Sequence, residues 1–134
     1  MTPFKLKIVT PDGLIFDGEA EELIVRTTRG DVAILARHIN YVAPLGMGRA
    51  VVVSEGKRRT AACIGGMLSV VNGEVTLVPT TFEWSDKIDL ARVEASMRRA
   101  DSILSNQRAT ENELALAQAR LHRALVRKSA ASYK

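Results

Sequence analysis

The chain has 134 residues, of which 46% are hydrophobic and only 4% aromatic, so it can form one ordinary domain core built mainly from aliphatic side chains. No apolar run approaches the roughly 20 residues of a membrane-spanning helix, and the N-terminus lacks a signal-peptide pattern, so we expect a cytosolic chain or one held at a membrane by a partner. Cys63 is the only cysteine, which excludes an internal disulfide and predicts a buried structural thiol.

The net charge of +4 is unevenly placed along the chain. Residues 1–84 carry nine basic and nine acidic side chains, whereas residues 85–134 carry ten basic and six acidic ones. Beyond Gln118 the chain contains no acidic residue and five basic ones, the last of which is Lys134. This excess either complements the negative end of a helix dipole or forms a docking face for an acidic partner. Both interpretations stay open at this point.

The first part of the chain has the pattern of short strands joined by turns. Phe4, Leu6 and Ile8 alternate with lysines, which is the period of two of a half-buried strand. The Asn72-Gly73 pair is a strong signal for a two-residue hairpin turn. Further turn signals lie at Pro11-Asp12-Gly13, Asp17-Gly18, Arg29-Gly30-Asp31 and Glu55-Gly56. Their near-regular spacing predicts an all-β sandwich or barrel of short strands through about Pro79.

The apolar period changes to three or four residues after Glu83. Asp86 is predicted to cap a helix that begins near Lys87. Thr110, followed three residues later by Glu113, predicts the cap of a second helix after a linking segment. The positions predicted to form the two facing seams are Leu90, Val93, Met97, Ala100 and Leu104 in the first helix and Leu114, Ala117, Leu121, Ala124 and Lys128 in the second.

These patterns predict a β+α fold class. An N-terminal all-β sandwich of short antiparallel strands over residues 1–84 is followed by a C-terminal antiparallel two-helix hairpin over residues 85–134. Seams that contain alanine allow close approach but bury little apolar area, so the hairpin is expected to be weakly held and able to rearrange.

The sequence contains no constellation of residues typical of an enzyme. A phosphate-binding loop of the Gly-x-x-x-x-Gly-Lys-Ser/Thr type is absent, and His38, His122 and Cys63 do not form a metal-ligand pattern. His38 is interpreted as a packed, hydrogen-bonded residue. Gly65-Gly66 and the Gly46-Met47-Gly48 segment are interpreted as backbone devices for bulges or turns.

Several of these motifs occur together in the order found in one known family. The Thr10-Pro11-Asp12-Gly13 turn, the Gly30-Asp31 turn followed by Ile34-Leu35 and His38, the Gly65-Gly66 pair, and an Ile88-Asp89-x-x-Arg92 helix start resemble the ε subunit of bacterial F-type ATP synthase. The resemblance covers essentially the whole chain. One departure is Ala33, where the family usually has glycine.

The resemblance implies a non-catalytic subunit of the rotor, peripheral to the cell membrane on its cytoplasmic side. The sandwich would contact the γ subunit and the ring of c subunits of a proton- or sodium-translocating synthase. The hairpin would act as a brake, because in this family the extended hairpin reaches the catalytic α and β subunits and blocks ATP hydrolysis. The cations expected to contact an acidic segment of the catalytic subunits are Arg120, Arg123, Arg127 and Lys128.

The resemblance also implies a nucleotide site, although no cofactor is required. Some family members bind regulatory ATP in the folded hairpin through a motif that this chain matches except for Val93, which stands in place of alanine. Asp89 would contact ribose or base, and arginine side chains would contact the phosphates. The implied ATP-binding residues are Ile88, Asp89, Arg92, Arg99, Arg123 and Arg127. The competing interpretation is that Asp89 only caps a helix and that the arginines are solvent-exposed.

Two other functional classes fit the sequence less well. A basic nucleic-acid-binding or adaptor protein would use the arginine-rich helix on phosphates, but aromatic stacking residues near the basic run are lacking and a net charge of +4 is modest. A small hydrolase would need a clustered nucleophile and base, which the sequence does not contain. Both are therefore disfavoured.

Overall fold

The computed structural model describes residues 2–133, and Met1 and Lys134 lie outside the described residues. Within residues 2–133, eight strands are followed by a 3₁₀ turn at Ser85–Lys87 and two helices. The strands are β1 (Phe4–Thr10), β2 (Gly13–Ala20), β3 (Glu22–Thr27), β4 (Gly30–Ile34), β5 (Tyr41–Pro44), β6 (Met47–Ser54), β7 (Lys57–Val71) and β8 (Glu74–Trp84). The helices are α1 (Leu90–Leu104) and α2 (Glu111–Ala131).

One hydrogen-bonded path joins seven of the eight strands of the described residues, the eighth branches from it, and the whole sheet folds into a sandwich. The strand order is β2-β1-β8-β7-β6-β3-β4, and β5 pairs with β7. The long strand β7 pairs with β6 through Lys57–Ile64 and with β5 through its last residues, while β8 follows β7 along most of its length. Strands β7 and β8 therefore belong to both layers. The predicted β+α fold class with a β-sandwich is confirmed.

The Gly65-Gly66 pair lies where β7 changes partners. Gly66 has a φ of +102°, and a Cβ added there would lie 2.0 Å from the carbonyl oxygen of Val78 on β8. Only glycine fits such a conformation and such a close approach. The interpretation of this pair as a backbone device is confirmed.

The sandwich core is aliphatic, as the composition required. It includes Leu6, Leu23, Val25 and Leu68, which are all essentially inaccessible to solvent. Burying a side chain of this size contributes about 1.5–3 kcal/mol. Cys63 belongs to the same core at 3% exposure, and burial raises the pKa of its thiol to about 12. The prediction of a buried structural thiol is therefore confirmed.

The predicted turns at residues 11–13, 55–56 and 72–73 all join consecutive paired strands. The break predicted at Asp17-Gly18 is wrong, because β2 continues through these residues and pairs with β1. The sheet extends past Pro79 to Trp84, whose ring packs edge-on against Phe82 and under the guanidinium of Arg59. The pairing of β1 with β8 is parallel, which the expectation of antiparallel strands did not include.

Helix α1 begins three residues later than predicted. Asp89, and not Asp86, is the N-cap, and its carboxylate accepts a hydrogen bond from the backbone N–H of Arg92 at 3.2 Å. Ile88 is buried with an extended backbone, and this tertiary contact prevents the helix from starting earlier. The prediction for α2 is confirmed, since the Thr110 hydroxyl accepts from the N–H of Glu113 at 3.1 Å.

A second apolar cluster attaches the hairpin to the sandwich. Helix α2 lies against β6 and β7, where Ala124, Val126 and Ala130 pack with Ala62 and Ile64. The seam between the helices contains the predicted Val93, Ala100, Ala117 and Ala124, all of which are buried. The seam prediction was wrong for Leu90 and Lys128, which are exposed. The spacing of apolar residues predicts one buried stripe along a helix, whereas α2 packs both on α1 and on the sandwich.

Substitution of Gly66 by alanine should lower the free energy of unfolding by about 3 kcal/mol or more, because the new Cβ clashes with backbone that cannot move independently. Urea denaturation measures this loss. The matched control is Gly13→Ala, at a φ of +130° with nothing within 4 Å of the added Cβ, which should cost about 1–2 kcal/mol from backbone strain alone. Equal losses in the two variants would contradict the packing argument.

Candidate functional site: the arginine pocket of the hairpin

A cavity of about 390 Å³ opens where both helices meet the end of the sandwich. We call it the arginine pocket. It brings together Asp89, Arg92, Arg99 and Arg127, four of the six residues predicted to bind ATP. Its lining residues are Glu83, Lys87, Asp89, Arg92, Val93, Ser96, Arg99, Ala124 and Arg127.

Local structure explains why these side chains converge. Arg92 and Arg99 are seven residues apart on α1, which is close to two helical turns, so they lie on the same side of the helix. Asp89 is fixed at the N-terminus of α1 by its capping hydrogen bond. Arg127 enters from α2, and Val93 forms part of the wall at 6% exposure.

Glu83, like Lys87 and Ser96, lines the pocket although the sequence did not predict it as a site residue. Its Oε1 lies 2.6 Å from Nε of Arg127, and the two side chains are 35% and 30% exposed. A half-exposed pair of this kind contributes about 1 kcal/mol at most. The alternation of inward and outward side chains along β8 could have indicated the position of Glu83. It lies opposite Ala62, on the face of the sheet that α2 covers.

The charge of the arginine pocket suits an anion that carries several negative charges. Lys87, Arg92, Arg99 and Arg127 supply four positive charges against the two carboxylates of Glu83 and Asp89. Guanidinium groups present paired N–H donors that match phosphate oxygens. The volume lies within the range of small-molecule sites in proteins.

The remaining predicted residues lie outside this pocket. Ile88 is 4% exposed and packs in the apolar cluster between hairpin and sandwich, so it supports the pocket from behind. Arg123 is half-buried on α2 and does not line the cavity. Arg120 and Lys128 are exposed on α2.

A second feature is an exposed apolar surface on the sandwich. We call it the β5–β7–β8 face. Met67 on β7 lies beside Pro44 on β5 and Val78 on β8, and the exposed fractions of Met67 and Val78 are 44% and 45%. Val42 and Val71 extend the face at 63% and 50% exposure. The sequence indicates this face because residues 67–71 place apolar side chains on both faces of β7.

Comparison with known proteins identifies the family. A family model described as the β-sandwich domain of the ATP synthase Delta/Epsilon chain matches residues 3–85. The chain is 40% identical to the ATP synthase epsilon chain of Ruminococcus albus, with 100% of both chains covered. It is 37% identical to the epsilon chain of Bacillus velezensis, with 95% of this chain and 96% of the other covered.

The chain belongs to the ATP synthase epsilon chain family. The predicted resemblance is therefore confirmed, and with it the expectation of a non-catalytic ATP synthase subunit that is peripheral to the membrane. The alternative of a nucleic-acid-binding or adaptor protein finds no support among these relatives.

Solved structures show the same fold. One is a chain in the cryo-EM structure of the Euglena gracilis mitochondrial ATP synthase, OSCP/F1/c-ring, which superposes with a TM-score of 0.85 at 21% sequence identity. The superposition covers 97% of the present chain and 82% of the Euglena chain. A chain of the Tetrahymena thermophila mitochondrial ATP synthase central stalk and c-ring gives 0.60 at 15% identity, with 95% of both chains covered.

Two further observations concern the described residues 2–133. None of their helices combines the length and apolar character needed to cross a membrane. They also contain no group of three or more His, Cys, Asp and Glu side chains placed to hold a metal ion.

Proposed function

We propose that this epsilon chain works in the central stalk of a bacterial F-type ATP synthase, on the cytoplasmic side of the cell membrane. In this proposal residues 1–84 dock on the γ subunit and the c-ring, and residues 85–134 regulate ATP hydrolysis by reaching the α and β subunits. One observation carries the regulatory part: the sandwich has its own large core, whereas the hairpin is attached to it through a separate and smaller cluster, half of whose buried residues are alanines.

The β5–β7–β8 face is the docking surface that we assign to the γ subunit. Its exposed side chains lie on neighbouring strands of a rigid sheet and are not covered by the hairpin, which packs near Ala62 and Ile64. Contiguous exposed apolar surface on a folded domain is typical of protein interaction sites. The relatives in solved F1/c-ring and central-stalk assemblies support a partner of this kind.

The double variant Met67→Glu/Val78→Glu should weaken binding to γ at least tenfold, because it places two carboxylates in an apolar interface. Size-exclusion comigration and biolayer interferometry with purified γ measure the change. Leu90→Glu/Leu116→Glu is the control with the same charge change, because these two helical residues are 41% and 56% exposed and lie away from this face. Unchanged binding by the double variant, with its circular dichroism intact, would reject the assigned face.

The brake is assigned to the basic side chains of α2. Arg120 and Lys128 are exposed in the folded hairpin, and Arg123 is half-buried outside the arginine pocket. Arg127 differs from them because its Nε is paired with Glu83 in the folded hairpin, where it lines the arginine pocket. An acid-free cationic stretch of this kind suits an acidic segment of a catalytic subunit.

The triple variant Arg120→Ala/Arg123→Ala/Lys128→Ala should lose at least half of the inhibition that the parent chain exerts on ATP hydrolysis by the αβγ complex. Arg127 is retained so that the pairing with Glu83 stays intact. A control with the same charge change is Lys57→Ala/Arg98→Ala/Arg108→Ala, which removes exposed cations elsewhere. Equal inhibition by the parent and both triple variants, with γ binding preserved, would remove these residues from the brake.

Regulatory ATP is the ligand that we propose for the arginine pocket. The pocket combines an excess of positive charge with the fixed carboxylate of Asp89, which can accept hydrogen bonds from ribose or base. Because residues of α1, α2 and β8 all line it, the complete site exists only in the folded hairpin. ATP bound there would stabilise the folded state by mass action.

The double variant Arg92→Gln/Arg99→Gln should weaken ATP binding at least tenfold, because it removes two phosphate-facing guanidinium groups. Isothermal titration calorimetry at millimolar ATP provides the measurement. Arg98→Gln/Arg108→Gln changes the net charge equally and should leave affinity within about twofold, since both side chains are exposed outside the pocket. Absence of any heat of binding with the parent chain would contradict an ATP site.

A further inference from the structure

A second cationic groove of about 540 Å³ runs along the other side of α2, between this helix and strands β3, β4, β6 and β7. Its lining includes Arg26, Arg49, Arg58 and His122, with Asp31 as the only acidic side chain. None of these residues lines the arginine pocket. Even with a neutral histidine, the groove carries an excess of two positive charges.

Arg26 is held in the groove by a specific backbone feature. Its aliphatic stem lies flat against Gly48, where an added Cβ would come within 2.8 Å of the Arg26 Cβ and 3.0 Å of its Cδ. The guanidinium is then oriented by Asp31, whose Oδ1 lies 3.4 Å from Nη1. This single contact leaves the other N–H donors of Arg26 available.

Arg49 is oriented in a different way. Its Cζ lies 4.1 Å from the centre of the Tyr133 ring, just beyond the end of α2. A cation–π contact uses the face of the guanidinium, so the N–H donors at its edge stay free to bind oxygen. Arg49 has no carboxylate partner among the described residues.

The spacing of the arginines indicates the length of the ligand. Arg49 pairs with Ala62 in the register of β6 and β7, and Arg58 lies four residues from Ala62 along β7. Four residues of a strand span about 14 Å between Cα atoms, and the long side chains can shorten the gap between their guanidinium groups. A chain of linked phosphates can contact both arginines across this span, whereas a single phosphate requires both side chains to bend toward each other.

We propose that this groove binds an oligophosphate chain, as carried by a nucleoside triphosphate or by inorganic polyphosphate. The α2 helix contributes His122, Leu125 and Ser129 to the groove, and Tyr133 follows it, so the site is complete only when the hairpin is folded against the sandwich. An oligophosphate bound there therefore stabilises the folded hairpin independently of a ligand in the arginine pocket.

The test is a residue-resolved NMR titration of the full ¹⁵N-labelled chain with inorganic triphosphate. We expect saturable shifts of the Gly48, Arg49 and Ser129 amides, and weaker binding of inorganic monophosphate. Saturable shifts confined to Asp89 and Arg92 would place the ligand in the arginine pocket and overturn the proposal. Shifts that never saturate would overturn it as well.

Variants distinguish binding at this groove from non-specific electrostatic attraction of a phosphate ligand to a basic protein. Arg26→Gln/Arg49→Gln should weaken binding at least tenfold, whereas Arg29→Gln/Arg108→Gln, with the same charge change at exposed positions, should stay within twofold. Tyr133→Leu leaves the net charge unchanged and should weaken binding at least threefold, because Arg49 loses its orienting ring. Equal weakening by the two double variants would overturn the proposal.

A parallel titration with ATP distinguishes a nucleotide from inorganic polyphosphate as the ligand. Met47 and Leu125 form an apolar strip along the groove that a nucleobase can contact. Tighter groove binding of ATP than of inorganic triphosphate, abolished by Leu125→Ala, supports the site and assigns it to a nucleotide. Equal or tighter binding of inorganic triphosphate supports the site and assigns it to polyphosphate.

Discussion

The apolar character of both faces of β7 is the constraint on which the rest of the structure depends. Residues 60–64 are five consecutive buried positions. Ala61 and Cys63 point into the sandwich core, while Ala62 and Ile64 form the surface on which α2 packs. Because successive side chains of a strand point to opposite faces, one segment serves two interfaces at once. Release of the hairpin, as the proposed mechanism requires, would therefore leave the core of the sandwich closed.

The strength of the two interfaces differs for a simple physical reason. The sandwich core is the larger cluster and is rich in leucine, isoleucine and valine, whereas half of the buried residues that attach the hairpin are alanines such as Ala124 and Ala130. At about 25 cal/mol per Å² of apolar area, an alanine contributes much less than a leucine on burial. The Glu83–Arg127 pair adds about 1 kcal/mol at most. In the proposed mechanism, this difference lets a ligand or partner of ordinary affinity shift the hairpin between a folded and a released state.

Short sequence motifs correctly predicted the turns and caps that are formed by contacts between residues close together in the sequence. The Asn72-Gly73 turn and the Thr110 cap are of this kind, because each uses only contacts within a few residues. The start of α1 was misplaced because burial of Ile88 is a tertiary contact. The convergence of the arginine pocket was implied by family resemblance and could not follow from spacing, and Glu83 was missed because its partner is 44 residues away.

Arg127 connects the two regulatory roles proposed for the hairpin. It was assigned both to the nucleotide site and to the inhibitory surface, and in the folded chain it lies in the arginine pocket beside Glu83. One side chain cannot contact a ligand in that pocket and an acidic segment of a distant subunit at the same time. Occupation of the pocket and engagement of the brake therefore oppose each other in the proposed mechanism, and thermodynamic linkage requires that each weakens the other by the same factor.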